Sequence, residues 1–335
     1  MPKPLVSIVI PSYNRSKYIS ATLNSILKQS FTDFEVIFVD DGSTDNTREI
    51  LNYYCQKDYR IKYFYQPNSE RAVARSYGMG LALGEYIALV DSDDIWYPHK
   101  LDKQVEVLEN NRDVILSYAS VNRIDLDGRR VRSATRQKQG CSGYVFFDLL
   151  LRNFVPSVTP LFRKEIIKKA GDQVSEYIPY EDWDYWLRLS RLGKFHHIQE
   201  PLGAYRLHPG QSVQNVKPER IEDVTLKVLK YHTNLANFDL QTYLNLIGET
   251  KNLPLFIRDE FQAITNEAYS LANLRFAYWY ILAGDLETAR KKLKKSLELS
   301  GARKKDIRWW GLKSACYLEK TVMGDSVKSF LGAMH

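Results

Sequence analysis

Long apolar runs are missing from this 335-residue chain. Nothing approaches the roughly 18 consecutive apolar residues that a membrane-spanning helix needs, and the stretch Leu5 to Pro11 is too short and too strand-like for a signal peptide. The expected address is therefore the cytoplasm. Cysteine is scarce: Cys55, Cys141 and Cys316 lie far apart without CxxC spacing, which excludes a disulfide framework and a zinc ribbon and leaves buried free thiols as the expectation. Low-complexity tracts are absent too, so disordered, collagen-like and coiled-coil classes fall away. No GxxxxGK[ST] loop, HExxH, GxSxG or kinase set occurs. Gly78-Met79-Gly80 followed by Gly84 imitates a dinucleotide fingerprint, but Leu83 stands at the third glycine position and the run precedes a strand instead of following one.

What is present suffices for a soluble globular chain. With 44% hydrophobic and 26% charged residues, the length points to about two domains, each with its own core. A formal charge of +7 raises nucleic acid or an anionic membrane as partners. Its position removes nucleic acid: residues 285–335 carry twelve Lys or Arg against six Asp or Glu, nearly the whole excess. Interleaved with Trp309, Trp310 and Tyr317, this basic tail is either a solvated helical face or an interfacial contact at the inner face of a membrane.

The first hundred residues alternate short β-branched or aromatic runs with amphipathic segments, the pattern of βαβ units and a mostly parallel sheet. Strands are predicted at 5–10, 35–40, 61–65 and 86–90. Helices between them present Ile19, Leu23, Ile26 and Leu27, then Ile50, Leu51 and Tyr54, then Ala74, Tyr77, Gly78 and Leu81 to the sheet. A strand at 114–118, a hairpin around Asp127-Gly128, a helix over 181–192 and an extended stretch ending in Tyr205-Arg206-Leu207-His208-Pro209-Gly210 follow. Strand signals vanish beyond residue 215, which divides the chain into an α/β domain over 1–215 and an all-α region over 216–335. There Ala277, Gly284, Asp285, Ala289, Leu293 and Leu297 resemble half of a tetratricopeptide-type hairpin. A lone unit fits a packed helical cap on the first domain better than a peptide-binding array.

Ligands of open α/β sheets bind beyond the C-terminal strand ends. At those ends stand PSYNR (11–15), DDGSTD (40–45) and DSDD (91–94). Asp40, Asp41, Asp91, Asp93 and Asp94, read as lying at two adjacent strand ends, repel one another unless a cation or a hydrogen-bonding ligand intervenes, and oxygen donors point to Mg²⁺ or Mn²⁺ over zinc. DDGSTD alone is equally a good turn followed by a helix N-cap. Three acids in four residues at 91–94 have no such structural need.

Together VSIVIPSYNR, EVIFVDDGSTDNT, ARSYGMGLALGEYIALVDSDDIW, EDWDYWLRL and YRLHPGQS resemble a family 2 glycosyltransferase with the GT-A fold, over roughly residues 5–212. The resemblance implies a Rossmann-like, mostly parallel sheet flanked by helices. It also implies an inverting, metal-dependent, hexosyltransferase-type transfer from a nucleotide-diphosphate sugar, a UDP-sugar in first place, to an acceptor hydroxyl. Tyr13 would stack on the base and Asp41 would bond its ring nitrogen. Pro11, Asn14 and Arg75 would complete the nucleotide pocket. Asp91, Asp93 and Asp94 would share the ribose and the Mg²⁺ or Mn²⁺ ion, with Arg206 and His208 at the diphosphate or its metal. Asp182 would be the general base, with Glu181 as its neighbour. Implied acceptors are saccharides or lipid-linked saccharides of surface polysaccharide or glycolipid assembly in the cell envelope.

Plainer readings stand beside these. Arg75 also reads as a surface arginine, Glu181, Asp182 and Asp184 as first-turn acids favoured by the helix dipole, with Asp184 and Arg188 an i,i+4 pair. Trp183 and Trp186 read as core or as a sugar-stacking platform, and His208 as a loop residue. A glycoside hydrolase would need no nucleotide pocket, and a sugar nucleotidyltransferase resembles chains with a Gly-rich loop where Pro11-Ser12-Tyr13 stands. The remaining rival is a nucleotide-sugar-binding or scaffold protein without turnover, against which the intact Asp182 and DSDD argue.

Overall fold

Residues 3–131, 140–211, 216–234, 254–301 and 306 are described by the computed structural model. Residue 215, Trp309, Trp310, Cys316 and Tyr317 lie outside the described residues. The β-branched runs form β1 (Val6–Ser12), β2 (Phe34–Asp41), β3 (Ile61–Gln66) and β4 (Tyr86–Leu89), and the amphipathic segments between them fold as α1 (Ser16–Leu27), α2 (Thr47–Lys57) and α3 (Arg71–Leu81). These strands pair in parallel in the order β3-β2-β1-β4. β1 and β2 are buried at every residue, as strands of a parallel sheet covered on both faces must be. One expectation is corrected here: β1 lies between β2 and β4, so the acids at the ends of β2 and β4 are not on adjacent strands.

Beyond β4 the sheet becomes mixed. It continues through β5 (Ile95–Trp96), α4 (Lys100–Asn110), β6 (Val114–Ile124), β7 (Arg130–Val131), α5 (Phe146–Leu151), β8 (Leu161–Arg163), α6 (Ile167–Ala170), α7 (Glu181–Ser190) and β9 (Lys194–Arg206). The order is β4-β8-β6-β9-β5, with β7 paired to β6. The expected hairpin at Asp127-Gly128 is the β6–β7 turn, where Gly128 takes a left-handed φ of 80°. β6 runs six residues past the predicted Tyr118, because half-buried Ser120 and Asn122 and exposed Arg123 interrupt the apolar pattern from which a strand is read.

The inward faces of α1 to α3 follow the predicted spacing at most positions. Ile19, Leu23 and Ile26, Leu51 and Tyr54, and Ala74 and Gly78 are buried. Tyr77 departs from it, being 42% exposed, while Arg75 on the same helix is buried. Gly78 has no alternative here, since a Cβ would sit 2.5 Å from a Val9 methyl, so α3 lies almost directly on β1. Cys55 and Cys141 are half-buried instead of fully buried.

The chain falls into two compact units, the first extending to Gln211 and the second from Ser212 onward, with Phe147–Arg152 grouped with the second. The second contains α8 (Pro218–Thr233), α9 (Pro254–Leu282) and α10 (Leu286–Leu299). The turn between α9 and α10 uses Gly284 at φ 82°, and Asp285 caps α10 by accepting from the Thr288 N–H at 3.0 Å. Ala277, Ala289 and Leu293 are buried between these helices, where the hydroxyls of Ser270 and Ser296 donate to each other's carbonyls at 2.8 and 2.9 Å. On α8, Glu222 accepts from the Tyr280 hydroxyl at 3.1 Å and pairs with Lys292. Among the described residues no helix is long and apolar enough to cross a membrane.

Candidate functional site

Two loops beyond β1 and β2 are latched into one wall. Asn14 adopts φ 53°, a left-handed backbone that Asn tolerates. Its N–H donates to Ser43 Oγ at 2.9 Å, and its Oδ1 accepts from the Thr44 N–H at 2.8 Å. Asp45 accepts from the N–H groups of Ser16 at 3.0 Å and Thr47 at 3.1 Å, so it ties the starts of α1 and α2 together. Asp40 is equally spent on structure, accepting from the Ser43 N–H at 2.9 Å and the Tyr63 hydroxyl at 2.9 Å. Asp41 differs from both. One oxygen accepts from Gln66 Nε2 at 2.6 Å and the Ser69 N–H at 2.9 Å, and the other has no partner among the described residues. Pro11 is buried in β1, and Tyr13, 45% exposed, offers its ring at the mouth of this wall. Such a face and a half-free carboxylate suit a flat base bearing an N–H.

The loop that closes this wall ends on a strained residue. Glu70 sits at φ 75°, ψ 149°, a region that is essentially glycine's. Replacing Glu70 with glycine is expected to stabilise the fold by about 1 kcal/mol, the strain relieved outweighing the added freedom of the unfolded chain. Thermal denaturation reads this as a melting temperature a few degrees higher; a lower one would mean that the exposed glutamate makes a contact worth more than the strain.

At the end of β4 the three acids of DSDD separate. Asp91 accepts from Arg75 Nη2 at 2.5 Å and from Ser157 Oγ at 3.1 Å. Burial alone would raise its carboxyl, but the Arg75 guanidinium, with Arg71 and Ser157, more than offsets this and holds it below the usual range. Asp93 Oδ2 accepts from Arg15 Nε at 3.1 Å and lies 2.9 Å from His208 Nε2. Asp94 is fully buried; one oxygen accepts from the Arg206 N–H at 2.9 Å and the other has no hydrogen-bond partner. Burial first, and then the negative charges of Asp93 and Asp91, drive it well above the ordinary carboxylate range. Arg206, expected at the diphosphate, instead braces backbone: its guanidinium donates to the carbonyls of Asp93 at 2.9 Å and of Asp125 and Leu126 at 3.1 Å.

This chemistry fits a hard divalent cation. Asp93 Oδ2 facing an imidazole nitrogen, with a buried Asp94 oxygen that has no hydrogen-bond partner, offers the oxygen and nitrogen donors that such an ion accepts. Among the described residues no three His, Cys, Asp or Glu side chains form a closed cage. A cation at Asp93 and His208 would complete its shell with water or ligand oxygens, as Mg²⁺ commonly does.

Opposite these acids, α7 opens with the pair Glu181 and Asp182, which the fold treats differently. Glu181, 1% exposed, is gripped by Arg71 Nε at 2.5 Å and Nη2 at 2.8 Å and by Arg75 Nη1 at 2.8 Å. Burial would raise this carboxyl, and the two guanidiniums bring it below its usual value. Asp182 is half-buried; Oδ1 accepts from the Trp183 N–H at 2.7 Å, and Oδ2 is 3.4 Å from Asn153 Nδ2. Burial, and after it the charge of Glu181, push Asp182 up to about 6 despite Arg75 and Arg71. Asp184 makes the expected pair with Arg188 at 2.8 Å. Trp183 and Trp186, at 3% and 1% exposure, are core and provide no stacking platform.

Arg75 is the pivot of the site, joining Glu181 of α7 to Asp91 just beyond β4. Four residues of the constellation were given no role in the sequence: Arg15, although it ends the PSYNR motif, and Arg71, Asn153 and Ser157. Arg71 had a detectable signal, because it precedes Arg75 by four residues and so shares its helix face. The other three follow no periodicity that marks them.

The family profile described as glycosyl transferase family 2 matches residues 7–171. TuaG of Bacillus subtilis, a glycosyltransferase named for teichuronic acid biosynthesis, is 35% identical over 207 residues, covering 61% of this chain and 80% of its own. An uncharacterized glycosyltransferase of Rickettsia bellii is 30% identical over 255 residues, or 74% of this chain; the matched part spans only 36% of that longer relative. Among solved structures, S. aureus TarS 1-349 in complex with UDP-GlcNAc superposes with a TM-score of 0.57 at 20% identity, covering 90% of this chain and 91% of that one. At that identity the likeness speaks for the GT-A fold alone.

Proposed function

The chain belongs to glycosyl transferase family 2, and from that premise we propose that it is an inverting glycosyltransferase moving a sugar from a UDP-sugar to the hydroxyl of a saccharide or lipid-linked saccharide. The observation that carries this reading is the division between the two acids of α7. Glu181 is neutralised by two arginines, whereas Asp182 stands open with its carboxyl at about 6. That value suits a base that is ionised at neutral pH and still basic enough to take a proton.

In this mechanism Tyr13 stacks on the base, and the free oxygen of Asp41 accepts its N–H. Asp91, fixed by Arg75, receives a ribose hydroxyl. Asp93 and His208 would hold Mg²⁺ or Mn²⁺, which would offset the charge of the departing diphosphate. Arg206 and Asp94 keep the strand end and the 206–211 loop in register. Asp182 Oδ2 removes the acceptor's hydroxyl proton as that oxygen attacks the anomeric carbon from the side opposite the leaving group, which inverts the centre. Exposed Arg290, Lys291, Lys294 and Lys295 on α10 suit a peripheral position at an anionic inner membrane face, where lipid-linked acceptors lie.

Release of nucleoside diphosphate from a panel of UDP- and GDP-sugars tests the reading, with Mn²⁺ or EDTA and with or without anionic vesicles. Turnover is expected with at least one UDP-sugar, abolished by EDTA and enhanced by vesicles. Metal-dependent nucleotide binding without turnover on any donor would favour the binding-protein alternative. Neither binding nor turnover would overturn the assignment.

A further inference from the structure

Two arginines on one face of α3 meet the acids that open α7, and Arg75 alone has a part in the mechanism above. Arg71, one turn earlier, places Nε 2.5 Å and Nη2 2.8 Å from the two oxygens of Glu181, and Nη2 also donates to the Pro179 carbonyl at 3.1 Å. That is a forked grip on a buried carboxylate plus a tie to the backbone just ahead of the helix, a planar geometry that lysine does not reproduce. Asp182 is faced by Glu181 from its own helix, by Arg71 and Arg75 from α3, and by Asn153 from the segment before β8. Asp91 stands behind Arg75, and Asp184 is turned to Arg188. Arg75 divides its charge between Glu181 and Asp91, whereas Arg71 pairs with Glu181.

Resting on the reading of Asp182 as the base, we infer that Arg71 is a positioning residue for the reaction: its grip on Glu181 and Pro179 fixes the first turn of α7 and so aims Asp182, and its charge offsets that of Glu181 beside the base. Without it, Glu181 keeps only the share of Arg75 that Asp91 leaves. Asp182 then ionises less readily and its carboxylate loses its fixed direction.

The test follows the pH dependence of kcat/KM in Arg71→Met and Arg71→Lys, together with a carbon-13 titration of the aspartate carboxyls in which Asp182→Asn identifies the Asp182 signal. In Arg71→Met both the acidic limb and the Asp182 midpoint are expected to move up by about one pH unit, with UDP affinity unchanged. Arg71→Lys restores the charge but not the fork, so its limb returns toward wild type while kcat stays several-fold low. A wild-type midpoint in Arg71→Met, or wild-type kcat in Arg71→Lys, would overturn the inference, and the lysine variant decides the matter where the methionine variant does not fold. Failure of the underlying reading looks different: Asp182→Asn would keep full turnover, or the wild-type Asp182 signal would show no midpoint near 6.

Discussion

Asp182→Asn is expected to lower kcat by about three orders of magnitude, within the span that general-base catalysis supplies, while leaving nucleotide affinity intact. The amide keeps the shape of the carboxylate but has no lone pair basic enough to take the acceptor's proton. The wild-type pH profile carries a matching signature. The base acts only when ionised, and its carboxyl stands at about 6, so kcat/KM falls tenfold for each pH unit below that value and flattens above it. In the asparagine variant this acidic limb disappears along with most of the rate. Steady-state kinetics from pH 5 to 8, with UDP binding by calorimetry, check both statements. Full turnover in the variant would remove Asp182 from the mechanism, and lost UDP binding would mean that the carboxylate supports the donor pocket instead.

Replacing Arg75 with methionine carries the largest expected cost in stability. The guanidinium is 5% exposed and bridges two carboxylates at 2.5 and 2.8 Å. Its removal leaves Asp91 and Glu181 buried with less compensation, a loss of about 3–5 kcal/mol for breaking a buried pair. The pH dependence has a definite sign. Both carboxyls sit below their usual values in the fold, so their contribution to stability is present above their unfolded values of about 4 and is lost as pH falls through the lower folded ones. In the variant, burial without Arg75 favours the protonated acids, and acidification relieves the defect. The gap between the two proteins therefore narrows below about pH 4. Urea denaturation at pH 7 and at acid pH measures it; an equal gap at both would show that Arg75 acts through packing and not through charge.

These two residues also show where sequence reading stopped. Asp182 is visible as a first-turn acid, yet its difference from Glu181 is not, because both are acids at the start of one helix. The difference arises from α3, which delivers two guanidiniums to Glu181 across more than a hundred residues of chain. Arg75 also reads as a surface arginine in the sequence, and only the structure, in which a Cβ added to Gly78 would sit 2.5 Å from a Val9 methyl, shows how tightly α3 is pressed on β1.

The sequence by itself determined the elements and the chemistry at their ends. Short β-branched and aromatic runs specify the parallel strands, polar motifs follow them, and helical segments come afterwards, legible because periodicity and turn chemistry are local. Tertiary structure alone decided the order that puts β1 between the two acidic strand ends, and the division of DSDD into an arginine-bound, a histidine-facing and a buried acid. It alone enlisted Arg15, whose guanidinium spans from Asp93 to the Gly210 carbonyl. The reason is that Coulomb and desolvation energies depend on distance through space, and the guanidiniums that act on Glu181 and Asp182 come from a part of the chain more than a hundred residues away.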